Sequence, residues 1–66
     1  MGTGYGRALK RTLAANGCTF VRNGKGDHEI WYSPISDRQF TVDAGVKKRF
    51  TVAAILKQAG IDERIN

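Results

Sequence analysis

The chain has 66 residues, eleven Lys/Arg against six Asp/Glu, a formal net charge of +5 and a pI near 9.9. That length makes one domain, 1–66, and excludes a second core. A single cysteine, Cys18, and a single histidine, His28, exclude a disulfide framework and a structural zinc, which needs about four ligands.

The N-terminal Met-Gly-Thr-Gly-Tyr-Gly has no charged n-region or apolar h-region, and Gly6 stands where a myristoylation signal has Ser or Thr. Gly2-x-Gly4-x-Gly6 has the look of a phosphate loop, but no strand precedes it, so a flexible lead-in is expected. From there Tyr5, Ala8, Leu9, Thr12 and Leu13 recur at i, i+3, i+4, i+7, i+8. This spacing predicts a helix from about Tyr5 to Ala15, with Arg7, Lys10 and Arg11 on its other faces. Asn16-Gly17 supplies the left-handed stop.

Cys18 to Arg22 is β-branched and aromatic enough for a strand, with Cys18 and Phe20 on one face and Thr19 and Val21 on the other. Cys18, beside Phe20 in an apolar setting, reads as a small buried residue. Asn23-Gly24-Lys25-Gly26 is a strong turn signal. The second strand, His28 to Tyr32, points His28, Ile30 and Tyr32 one way and Glu29 and Trp31 the other. Ser33 to Asp37 breaks it, because Pro34 cannot donate to a ladder. Gln39 to Val42 makes the third strand.

Asp43 to Arg49 is a connector ending in Lys47-Lys48-Arg49. That run is either a solvated basic stretch or, beside a helix start, a grip for phosphate. Thr51 is the expected N-cap of a second helix, whose face Val52, Ile55, Leu56, Ala59 ends at Gly60. Ile61 to Asn66 is expected to fray as a polar tail, leaving an ordered core of about 5–61. The order α-β-β-β-α suits an α+β sandwich: a three-stranded antiparallel sheet with both helices on one face. Leu9, Leu13, Ile55 and Leu56 would cover that face and leave the other open.

No stretch approaches the ~20 apolar residues of a bilayer span, so a cytoplasmic protein with no membrane partner is expected. The basic balance favours an anionic partner: nucleic acid, an acidic protein, or both. So short a chain buries only roughly 60% of its unfolded surface, which makes a bound partner protein a source of stability.

These residues carry a resemblance. GKGDHEIWYSP, a third strand ending in FTVD, TVAAILKQAGI, and a first helix closing on Ala15-Asn16-Gly17 resemble the HicA toxin family of HicA–HicB toxin–antitoxin modules, over roughly Arg7 to Ile61. The resemblance implies a fold similar to the double-stranded-RNA-binding domain. It also implies a metal-independent mRNA interferase without cofactors, whose glycine-flanked catalytic histidine falls on His28, and a HicB-type antitoxin partner that covers the site. Two departures stand out. Gly26-Asp27 replaces the commoner Gly-Ser before the histidine, which alters the local charge. Arg49-Phe50 replaces the Pro-Gly that many members carry ahead of the second helix.

The chemistry is consistent with that implication. RNA carries its own nucleophile, the 2′-hydroxyl, and an imidazole with an ordinary pKa of about 6.5 suits proton transfer at neutral pH. Arg22 and Lys25 flank His28 and could hold phosphate, while Gly24 and Gly26, lacking Cβ, admit a close backbone. Lys47, Lys48 and Arg49 are further candidate RNA contacts. Asp27 or Glu29 could orient the ring, though both repel phosphate. The leaving oxygen also needs an acid, for which Lys25, Tyr32 or water could serve. The bland alternatives are a strand-start histidine bonded to its turn, and Trp31 and Tyr32 as packed sheet residues rather than a base-stacking platform. A non-catalytic RNA-binding module, or a subunit whose main role is to bind an acidic protein, would use the same basic surface.

Overall fold

A computed structural model describes residues 4–64. The elements are α1 (Gly6–Ala15), β1 (Thr19–Asn23), β2 (His28–Ser33), β3 (Arg38–Asp43) and α2 (Arg49–Ala59). The strands form one antiparallel sheet in the order β1-β2-β3. This is the predicted α-β-β-β-α order, compatible with a likeness to the double-stranded-RNA-binding domain.

The β2–β3 register pairs Trp31 with Phe40, Glu29 with Val42 and Ser33 with Arg38 on one face. On that face Trp31, Phe40, Val42 and Ser33 are buried, and they pack with Leu9, Leu13, Val52, Ile55, Leu56 and Ala59 from both helices. Both helical stripes predicted from period 3.6 therefore meet one sheet face. Burial of each such large aliphatic side chain contributes roughly 1.5–3 kcal/mol. Cys18 is buried beside them, as expected.

Each helix ends in a Schellman motif. After α1, the Cys18 amide donates to the Leu13 carbonyl and Gly17 to Ala14, with Gly17 at φ 86°. After α2, Ile61 donates to Leu56 and Gly60 to Lys57, with Gly60 at φ 77°. The motif folds the residue after the glycine back onto the helix. Ile61 is consequently a core residue, 6% exposed, rather than the start of a solvated tail. Glu63, further on, accepts a hydrogen bond from Asn16 Nδ2 at 2.9 Å; residues 65 and 66 lie outside the described residues.

The helix starts also depart from expectation. Lys48, not Thr51, is the N-cap of α2, because its carbonyl already accepts the amides of Thr51 and Val52. Arg49 thereby belongs to the helix instead of the connector. Neither helix has a side-chain cap or an acidic residue in its first turn. Before α1, the Tyr5 amide donates to the Val46 carbonyl at 2.9 Å. A Cβ on buried Gly6 would overlap the Ala44 carbonyl oxygen. The lead-in is thus docked on the connector from Gly4 onward, and residues 1–3 lie outside the described residues.

These contacts orient the helices. Both begin at the end of the sheet where β2 starts and β3 finishes. Both finish near the β2–β3 turn, where Ser33 Oγ donates to the Ala59 carbonyl at 2.6 Å.

Candidate functional site

His28 opens β2 and faces solvent. The preceding turn positions it through main-chain bonds alone: Gly24 N–H to the His28 carbonyl at 2.8 Å, and His28 N–H to the Lys25 carbonyl at 3.1 Å. Two glycines make this geometry. Gly26 takes φ 63°, and a Cβ on Gly24 would press on the His28 carbonyl oxygen at 3.3 Å. Gly24 therefore makes room for His28 itself, while Gly26 borders open space. The turn is tied to the β3 end by the Ala44 amide, which donates to the Asp27 carbonyl at 3.0 Å. Among the described residues, the imidazole makes no hydrogen bond, which leaves both ring nitrogens free to meet a ligand.

The open sheet face carries His28, Ile30 and Tyr32 from β2 opposite Asp43, Thr41 and Gln39 from β3. Arg22 joins them by a departure from strict alternation. Phe20 pairs with Trp31 and Arg22 with Ile30, so Val21 is an extra residue in a β-bulge. Without the bulge, Arg22 would follow Phe20 toward the helices; with it, Arg22 shares the face of His28, diagonally across the strands. Phe20 instead meets Trp31 edge to face, with ring centroids 6.2 Å apart.

Three expectations about the neighbours of His28 change. Glu29 points to the helix side, where Lys10 Nζ and Trp31 Nε1 each donate to it at 2.9 Å. The Lys10 bond, then the Trp31 bond, hold its carboxyl below the usual glutamate value. It therefore cannot orient His28. Trp31 is buried at 8% exposure and offers no stacking platform. Tyr32 lies on the open face, but its hydroxyl donates to Asp37 Oδ1 at 2.6 Å, which raises its pKa. It also sits four residues, about 13 Å, along the strand from His28, too far to protonate an oxygen leaving there.

The carboxylate neighbour of His28 that sequence reasoning missed is Asp43. It pairs with His28 across the sheet, and its Oδ1 accepts the Gly45 amide at 2.9 Å. The strand register shows that pairing, and counting back from the β2–β3 turn would have suggested it. Asp27 stays in the turn, exposed, with its carboxylate also beside Gly45.

Lys25, Gly26, Lys47, Lys48 and Arg49 are exposed at this end, with Arg22 on the adjoining face. Arg7, in the first turn of α1, adds a cation there. Lys10 does not, because Glu29 neutralises it. Among the described residues neither helix has a side-chain cap, and both put their positive dipole ends in the same region. An open cleft of about 430 Å³, lined by Leu56, Lys57, Gly60, Ile61 and their neighbours, lies at the opposite end of α2. His28 is accordingly a surface group between two acids, Asp27 and Asp43, at the end of the sheet where exposed cations outnumber them, an arrangement that suits a polyanion better than a small molecule.

Among the described residues, no three His, Cys, Asp or Glu side chains are grouped as metal ligands would be. No helix there is long and apolar enough to cross a membrane. No curated protein and no solved structure matches the chain. Residues 6–61 do match a family, described as the HicA toxin of bacterial toxin–antitoxin. Because that match runs from the first residue of α1 to the Ile61 anchor behind α2, it spans the whole folded frame, and the chain belongs to the HicA family as a toxin of a bacterial toxin–antitoxin module.

Proposed function

We propose that this toxin is a metal-independent endoribonuclease acting on mRNA in the cytoplasm, with His28 as its acid–base residue. A HicB-type antitoxin would neutralise it by covering the same end. The observation that carries this reading is an exposed imidazole, free of hydrogen bonds within the described structure, at the end of the sheet where the cations gather. Family membership supports it independently.

In the proposed reaction, neutral His28 accepts the proton of a ribose 2′-hydroxyl. The freed oxygen attacks the adjacent phosphorus, the bond to the 5′-oxygen breaks, and a 2′,3′-cyclic phosphate forms. Lys25 in the same turn, or water, returns a proton to the leaving 5′-oxygen. Arg22 shares the face of His28 and would stabilise charge growing on the phosphorane, as Lys25 would from the turn. Lys47, Lys48, Arg49 and the backbone at Gly26 would hold the flanking strand. Asp43, anchored by Gly45, would orient the ring through its second oxygen. One histidine supplies roughly 10²–10⁴-fold of acid–base catalysis, and slow turnover is enough to deplete messages.

The test is cleavage of a defined RNA in EDTA with end-group analysis. Wild type should leave 2′,3′-cyclic phosphate and 5′-hydroxyl ends, and His28→Ala should stay folded but cut far more slowly. An alanine variant that cuts at the wild-type rate removes His28 from the mechanism. Intact RNA with salt-sensitive binding would instead indicate a non-catalytic RNA-binding module.

A further inference from the structure

Among the described residues, Phe50 is the one large apolar side chain near the basic run that lies outside the core. It is 84% exposed, well beyond Phe20, Val21 and Ile35 at 41–53%. It occupies the second position of α2, whose buried face is Val52, Ile55, Leu56 and Ala59. Lys47, Lys48 and Arg49 precede it directly, and all three are exposed. No acidic residue lies in that first turn. Among the described residues, the other large exposed apolar side chains belong to β1 and the β2–β3 turn, and next to Phe50 on α2 only the small Ala53 and Ala54 are exposed.

We infer that Phe50 is a nucleobase-stacking residue for single-stranded RNA, with Lys47, Lys48 and Arg49 holding the phosphates beside the stacked base. The inference rests on the RNA reading of the His28 end and adds a substrate class to it. A protein anchor of this kind works from the centre of a desolvated apolar contact. Phe50 has three exposed cations directly before it and only the small Ala53 and Ala54 exposed one turn on, not a ring of large apolar side chains. A solvated aromatic beside a string of cations is the combination that tracks unpaired RNA, since every base has a π-face and every linkage a charge. A base inside a duplex has both faces already stacked and is not available to the ring. Phe50 would therefore favour an unpaired segment at the site, although duplex binding is what a likeness to the double-stranded-RNA-binding domain would suggest.

Fluorescence anisotropy with the full chain carrying His28→Ala, so that RNA is not consumed, tests this. The probes are a labelled unstructured oligoribonucleotide and the same strand annealed to its complement, each titrated over a range of salt. Adding Phe50→Ala should weaken single-strand binding about tenfold, within the range a stacked base contributes, with an unchanged salt slope and little effect on the duplex. Phe50→Trp should retain the affinity. Circular dichroism should show an unchanged fold, as expected for so exposed a side chain.

Single-strand affinity within twofold after Phe50→Ala overturns the inference, as does an equal loss on both probes. Loss of antitoxin binding with RNA binding intact also overturns it and makes Phe50 a protein contact. If the His28→Ala parent binds neither probe, the RNA reading falls and this inference with it. Binding that is indifferent to Phe50 removes this inference alone.

Discussion

The two ends of the sheet are built in opposite ways. At the β2–β3 turn, side chains knit the elements together. Ser33 Oγ donates to Ala59 and also accepts the amides of Ile35 and Ser36. A Cβ on Gly60 would meet Ile35 Cγ2 at 2.9 Å, and Asn16 reaches Glu63. At the His28 end the ties are mainly main-chain bonds, from Gly24 to His28, from Ala44 to Asp27 and from Tyr5 to Val46, with Asp43 Oδ1 on the Gly45 amide as a side-chain addition. The side chains there are left outward and mostly positive. Structural work done by backbone groups frees the side chains for a ligand, and the far end supplies the rigidity.

Substitutions at the two ends should therefore separate activity from stability. The largest effect is expected for His28→Ala, with RNA cleavage falling about 10²–10⁴-fold while the thermal midpoint stays within a degree or so of wild type. A large drop in that midpoint would show that His28 holds the turn and would blur the contrast. Ser33→Ala is the mirror image. It strands the buried Ala59 carbonyl and two amides, a loss of about 1–3 kcal/mol. Thermal melts should detect it, whereas the cleavage rate per folded molecule should not change. Gly60→Ala should cost about 1–2 kcal/mol, since Ala must adopt φ 77° and press on Ile35. If Gly60→Ala melts like wild type, the turn at that end is looser than its contacts imply.

The smallest effect tests the link between the helices and the sheet beneath His28. The bonds from Lys10 and Trp31 depress the Glu29 pKa. A depressed carboxylate contributes stability above its unfolded value, near pH 4.5, and loses it as pH falls through the lower folded value. Glu29→Gln should thus lower stability by under about 1 kcal/mol at neutral pH, the range of a partly exposed ion pair. It should also flatten the decline of stability below that value. Acid melts of both proteins would reveal either an altered profile or, against expectation, parallel curves.

Much of this was legible in the residues. The stripes Leu9/Leu13 and Val52/Ile55/Leu56/Ala59, the stops at Gly17 and Gly60, and the glycine turn before His28 all rest on dihedral preferences and on periods of 3.6 and 2. The parts not legible were those that depend on partners distant in the chain. Thr51 has the better capping chemistry, yet the Lys48 carbonyl accepts the amides of Thr51 and Val52, so α2 starts at Arg49 with Lys48 as its N-cap. Ile61 sits among polar neighbours in sequence, yet the Schellman turn returns it to the core.

The chain by itself determined the element order, the two buried stripes and the exposure of one histidine at a glycine turn, because nearest-neighbour conformation and hydrophobic spacing decide these. Tertiary structure alone decided what stands around that histidine. The Val21 bulge turned Arg22 to its side and the β2–β3 register set Asp43 opposite, whereas the turning of Glu29 and Trp31 away from it was already in the alternation of β2. Strand register is a long-range choice made by the whole core, and a shift of one residue sends a side chain to the other face of the sheet.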